Sequence, residues 1–164
     1  MKRITFLIAF AMMTALSLNA KSYKFDMNHS YEVKIVRVAQ QGTKFLKAWG
    51  VAGSADKAIT QAMQDAVAAC IFTGVEGNDI AGKIPALTSG KGAYEEHKAF
   101  FDTFFKKGEF LNYVKNANTG YPTGENNIST SGGRKVGVFV VVMYDNLRKR
   151  LEDEGIVRKL NSYF

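Results

Sequence analysis

SADKAITQAMQDAVAACIFTG, from Ser54 to Gly74, is the stretch from which the rest of the chain can be read. Ser54 is placed to accept from the first free backbone N–H groups, Asp56 puts negative charge in the positive first turn, and Gly74 supplies the residue that commonly closes a helix. Between these caps, Ala55, Ala58, Ile59, Ala62, Ala66, Val67, Ala69 and Cys70 recur at three- and four-residue spacing. The stripe is wide enough to lie flat on a sheet. Side chains this small let backbone approach backbone, so the stretch predicts a helix pressed against a surface that is itself small-sided.

That surface is found immediately upstream. Tyr31–Gln40 is rich in β-branched residues and predicts a strand, Gln41-Gly42 a tight turn, and Thr43–Ala52 the second strand of a hairpin. In the second strand Leu46, Ala48, Gly50 and Ala52 share one face, while Phe45, Trp49 and Val51 share the other. The alanine helix should therefore lie on the first face, with Trp49 looking away from it. The first strand alternates imperfectly, since Val36 and Val38 fall out of phase with Tyr31, Val33 and Ile35; a bulge, or cover on both faces, would account for this.

Downstream, Val75–Gly92 is rich in glycine and predicts a loop. Within it, Gly77 to Lys83 follows the phosphate-loop pattern, but Ile84 stands where a Ser or Thr would hold magnesium, and no strand precedes it. ATP binding is not expected. Ala93–Ala117 predicts a second helical region interrupted at Gly108, with Phe100, Phe101, Phe104 and Phe105 forming rungs one turn apart. Core packing is the plainer account of that stripe; a greasy groove or lid is the functional one. Asn118–Arg134, with Tyr121 beside Pro122, predicts a surface loop. Lys135–Tyr144 is apolar on both faces, as expected of a central strand covered on both sides by helices, a loop or a second subunit. Asp145 is placed to cap a last helix whose apolar edge is Leu147, Leu151, Ile156 and Leu160, interrupted at Gly155.

The expected fold is α+β: an antiparallel sheet, built from the hairpin and the later central strand, with the Ala-rich, Phe-rich and C-terminal helices packed chiefly on one face. The Ala-rich helix GSADKAITQAMQDAVAAC and the strand-to-helix run KVGVFVVVMYDNLRKRLEDEG carry a partial likeness. Over residues 31–74 and 134–155 the chain resembles the small periplasmic domain of the flagellar T-ring protein and of related membrane-associated lipoproteins. It departs from them in having no lipobox cysteine and in carrying the Phe-rich insert. The resemblance implies a non-enzymatic envelope role and transfers no catalytic residue.

The N-terminus predicts the compartment. Lys2 and Arg3 precede an uncharged run from Phe6 to Leu18, the pattern of a signal peptide over residues 1–20, and the run is too short for a spanning helix. Its removal leaves 144 residues with 20 basic and 15 acidic side chains, a net charge of +5, in a single α+β domain over residues 21–164. A periplasmic or secreted location follows.

Chemistry-bearing residues are sparse. One cysteine cannot form an internal disulfide, and Cys70 lies on the apolar stripe, so a buried thiol is expected. Glu95, Glu96 and His97 are adjacent, which on a helix points them apart, and His29 has no partner at ligand spacing; no metal site is expected. Cys70 with His97 is the one nucleophile pair available. Asn28-His29-Ser30 and Asn127-Ile128-Ser129 match the glycosylation pattern. In the last helix Arg148, Lys149 and Arg150 precede Glu152, Asp153 and Glu154, so the charges largely neutralise one another within two turns, which argues against nucleic acid.

The expected function is a non-catalytic binding or assembly module of the bacterial envelope, with Trp49, Phe100, Phe101, Phe104, Phe105 and Tyr121 as the candidate contact surface and no cofactor. Its expected partner is another envelope protein or a second copy, with peripheral membrane contact open. The alternatives are a periplasmic hydrolase whose polar groups are unassigned, and a carrier of a lipid or small apolar ligand.

Overall fold

The structure, a computed structural model, describes residues 22–159. The predicted signal peptide, Leu160 and the terminal Tyr163-Phe164 lie outside the described residues.

Five antiparallel strands and four α-helices follow in the order β1 (Glu32–Arg37), β2 (Lys44–Ala52), α1 (Ala55–Phe72), α2 (Lys91–Glu96), α3 (Lys98–Lys106), β3 (Val114–Asn116), β4 (Asn127–Thr130), β5 (Gly133–Val142) and α4 (Tyr144–Asp153). The fold is α+β. In the sheet β1 pairs β2 and β2 pairs β5, while the far edge of β5 is shared: β4 takes residues 133–136 and β3 takes residues 140–142.

α1 forms where its caps and stripe placed it. The Ser54 side chain accepts from Lys57 N at 3.4 Å, and Gly74, at φ 72°, donates to Ala69 O at 2.7 Å. The helix lies on β2 and β5. Contact is closest at Gly50, where an added Cβ would run into the backbone of Ala58 and Ala62. The register then brings Leu46, Ala48, Val136, Val138, Val140 and Val142 beneath α1, all with no exposed surface. In β1 the pairing slips between Ile35 and Arg37, so the bulge, not double cover, explains the broken alternation.

The phenylalanines belong to the core. Phe101, Phe104, Phe105 and Phe110 are fully buried at the C-terminal end of α1, where the Phe72 ring meets Phe101 at 4.9 Å. The segment before β1, a polar entry by sequence, lays alternate residues inward: Tyr23 meets Phe110 at 5.4 Å and Phe25 stacks on Phe105 at 3.9 Å. Leu147 and Leu151 of α4 close the core, and Gly155, at φ 74°, turns the chain so that Ile156 N reaches back to Leu151 O at 2.9 Å.

Four expectations are corrected. Asp145 does not cap the last helix: α4 begins at Tyr144, with Met143 at the cap position and no side-chain cap bond, so Asp145 lies within the first turn. The Phe-rich region is not one helix: His97, with φ −114° and ψ 32°, separates α2 from α3, and after a 3₁₀ turn over Glu109–Tyr113 the chain becomes β3. Helical spacing of Phe110, Leu111 and Val114 disguised that strand, which exists because β5 offers an edge to pair with. Likewise the loop 118–134 contains β4, joined to β5 through Ser131-Gly132. Finally, among the described residues helices cover β5 on one face only. Val136, Val138, Val140 and Val142 are buried under α1, whereas Phe139 and Val141 on the other face are half-buried beside their neighbours on β2.

Candidate functional site

The uncovered face of the sheet is built by the pleat. Every second residue of β2, namely Phe45, Lys47, Trp49 and Val51, points away from α1, and the register sets them opposite Val141, Phe139, Gly137 and Lys135. On one side β1 adds Glu32 opposite Trp49, Lys34 opposite Lys47 and Arg37 opposite Phe45. On the other, Lys115 stands opposite Val141 and Ile128 opposite Lys135.

The result is a field of rings interleaved with cations. Phe45 and Phe139 stack with centroids 5.9 Å apart and planes 13° apart. Lys47 lies 4.8 Å from the Trp49 ring and 5.5 Å from that of Phe139; Lys34 lies 5.6 Å from Trp49, and Arg37 4.8 Å from Phe45. Each such pairing is worth about 0.5–1 kcal/mol at an exposed site, enough to orient the long side chains but not to lock them. Glu32 is the one acid among these positions, bound to Lys135 at 2.6 Å. Gly137 is required beneath Trp49, because a Cβ there would stand 2.7 Å from the indole Nε1.

A shallow cleft of about 530 Å³ runs along this face from Val36, Phe45 and Phe139 to the 117–121 turn, with Asn118 and Asn126 on its wall. Asn118 fixes the turn: its Oδ1 accepts from Phe139 N at 2.8 Å while Ala117 N donates to Phe139 O at 2.8 Å. These two bonds bridge the stretch of β5 between β3 and β4.

Of the predicted contact residues, Trp49 sits at the centre of this face, and Tyr121 lines the cleft, 57% exposed, with its hydroxyl donating to Asp56 Oδ1 at 3.2 Å. Phe101, Phe104 and Phe105 are corrected: wholly buried by Phe72, Phe25 and one another, they present no surface. Phe100 is half-buried beneath Arg150, whose guanidinium is 4.9 Å from the ring. Sequence pattern missed Phe45 and Phe139, although alternation along β2 and β5 is the signal that finds them.

Other chemistry-bearing residues occupy different places. Cys70 is fully buried, and burial pushes its thiol up to about 12, which keeps it protonated and unreactive. His97 is half-buried, with Glu96 Oε1 3.9 Å from its Nε2. In the phosphate-loop look-alike, Asn78 Oδ1 accepts from Ile80 N and Ala81 N, and Lys83 pairs with Glu76 at 2.7 Å, so those groups are turned to their own loop. Asn127 holds Pro122 O through Nδ2 and Arg134 through Oδ1, which commits the amide a glycan would need. Among the described residues no group of three His, Cys, Asp or Glu side chains is arranged to hold a metal ion.

One buried polar pair went unread. Asp65 of α1, 1% exposed, accepts from Gln61 Nε2 at 2.7 Å and stands 3.2 Å from His29 Nε2. Burial raises its carboxyl to about 6 against the opposing pull of Gln61 and His29. Its charge in turn helps hold Tyr31 in the protonated form, an effect secondary to the burial of that phenol. Neighbouring Gln64 is 2% exposed, and its Nε2 has no hydrogen-bond partner.

No protein-family model, no curated protein and no solved structure matches this chain.

Proposed function

We propose that the chain is an exported, non-catalytic binding or assembly module of the bacterial cell envelope that contacts a negatively charged partner through the open face of its sheet. The observation that carries this reading is the face itself: Phe45, Trp49 and Phe139 lie on it among Lys34, Arg37, Lys47, Lys115 and Lys135, with Glu32 as the opposing charge. Rings set among cations are what a desolvated contact centre with an electrostatic rim requires. The signal-like N-terminus and the partial likeness to the periplasmic T-ring domain favour the same role.

Two measurements test it. Expression of the full chain should yield a periplasmic or secreted product beginning near Lys21; retention of an unprocessed chain in the cytosol would refute export. Trp49 is the single tryptophan, so its emission reports the proposed face directly. Titration of residues 21–164 with envelope membrane vesicles, isolated cell-wall sacculi or acidic envelope polysaccharide should give a saturable change with at least one of them. No change with any, together with a monomer at high concentration, would remove the contact surface.

The hydrolase alternative has one feature in its favour, the buried Asp65 carboxyl beside His29. It predicts loss of a turnover activity in Asp65→Asn.

A further inference from the structure

We propose that the occupant of the open face is an acidic glycan lying across the strands, its sugar rings on Phe45, Phe139 and Trp49 and its carboxylates met by Arg37, Lys47 and Lys115. The assignment rests on the binding-module reading above and names the ligand class for that face.

The register supplies the first argument. Arg37, Phe45, Val141 and Lys115 are successive partners across β1, β2, β5 and β3. Strands about 4.8 Å apart put the two cations at the ends of a row of about 14 Å, with an apolar middle. A ligand matching that row has flat apolar surface at its centre and negative charge at intervals, and a short run of uronic-acid residues has both. The row beside it repeats the theme: Lys34, Lys47 and Phe139.

The second argument is the cleft wall. Asn118 and Asn126 border the rings; Asn126 offers a donor and an acceptor together, and Asn118, whose Oδ1 already accepts from Phe139 N, keeps its amide donors, which suits sugar hydroxyls. An anionic bilayer asks for cations around a protruding apolar patch and makes no use of that wall. The third argument is the cations resting against ring faces. A carboxylate drawing Lys47 or Arg37 outward uncovers the ring beneath, so charge pairing and ring contact are made in one movement.

The test uses residues 21–164 with four probes: a uronic-acid hexasaccharide, the same hexasaccharide methyl-esterified, vesicles of phosphatidylglycerol, and a single-stranded oligothymidylate. Binding is followed by Trp49 emission and by calorimetry. The acidic hexasaccharide should bind saturably, and the esterified form roughly tenfold or more weaker, as expected for losing charge-assisted contacts. Lys47→Gln with Lys115→Gln, which keeps a cooperative melt while giving up the two cation–ring contacts of Lys47, should weaken the acidic hexasaccharide by a similar factor. Phe45→Leu should weaken both hexasaccharides alike.

Equal binding of the acidic and esterified forms, or an unaffected double variant, would overturn the charge pairing. A response to the vesicles or the oligonucleotide without one to the hexasaccharide would overturn the glycan while leaving the face as a contact surface. Silence with all four, joined to silence in the envelope titrations, would overturn both.

Discussion

Asp65 carries a carboxyl into the core with two side-chain partners, fewer than its oxygens can accept, and its proton affinity rises accordingly. The folded state therefore holds a proton that the unfolded chain releases between about pH 4 and pH 6. Stability from this group is highest below that window, falls as the pH rises through it and is level above. A shift of this size corresponds to about 3 kcal/mol at most. Asp65→Asn should flatten that part of the profile, which melting temperatures at pH 4.5 and pH 7 would show; equal slopes in both proteins would contradict the assignment. Gly137 gives a second residue-scale expectation. Gly137→Ala places a methyl group against the Trp49 indole and Asn126 Oδ1, so the ring should lift, emission should shift, and about 1–3 kcal/mol should be lost. An unchanged spectrum would place the indole elsewhere. Neither residue stands out in the sequence, since Asp65 has meaning only once His29, 36 positions away, is laid beside it.

The elements were legible in proportion to how local their causes are. Ser54, the alanine stripe and Gly74 all act within a single helix, and α1 begins and ends where they say. β3 and β4, three and four residues long, are too short for alternation to register and owe their existence to β5. The face of β2 could be read in part: Trp49 was assigned to the correct side, but its ring neighbours on β5 depend on register, a long-range property. The α1–β2 contact carries its own test. Ala62→Phe forces a ring between helix and sheet where Gly50 already meets backbone, and should cost about 1–3 kcal/mol or more in a thermal melt. Phe101→Ala should cost about 3–5 kcal/mol by emptying a fully buried site, and loss of less than 1 kcal/mol would restore the groove reading of the Phe-rich helix.

At the scale of the molecule, one layer of helices on a five-stranded sheet leaves the second sheet face without helical cover among the described residues, and the proposed contact surface lies there. Binding there should weaken as salt rises, because exposed charges are screened within about 10 Å at 0.1 M. A salt-independent affinity would assign binding to the rings alone. The way β5 is finished on its far side bears on a different matter, the fate of the protein at high concentration. Strand edges recruit further strands and seed fibrils. Here β3 and β4 divide the far edge, Asn118 and Ala117 occupy Phe139 between them, and on the opposite side Asn78 Nδ2 holds Ile35 O of β1 at 2.9 Å. Lateral growth by strand addition is thus blocked at these points of both margins. A concentrated solution of the protein should therefore stay free of strand-paired polymer.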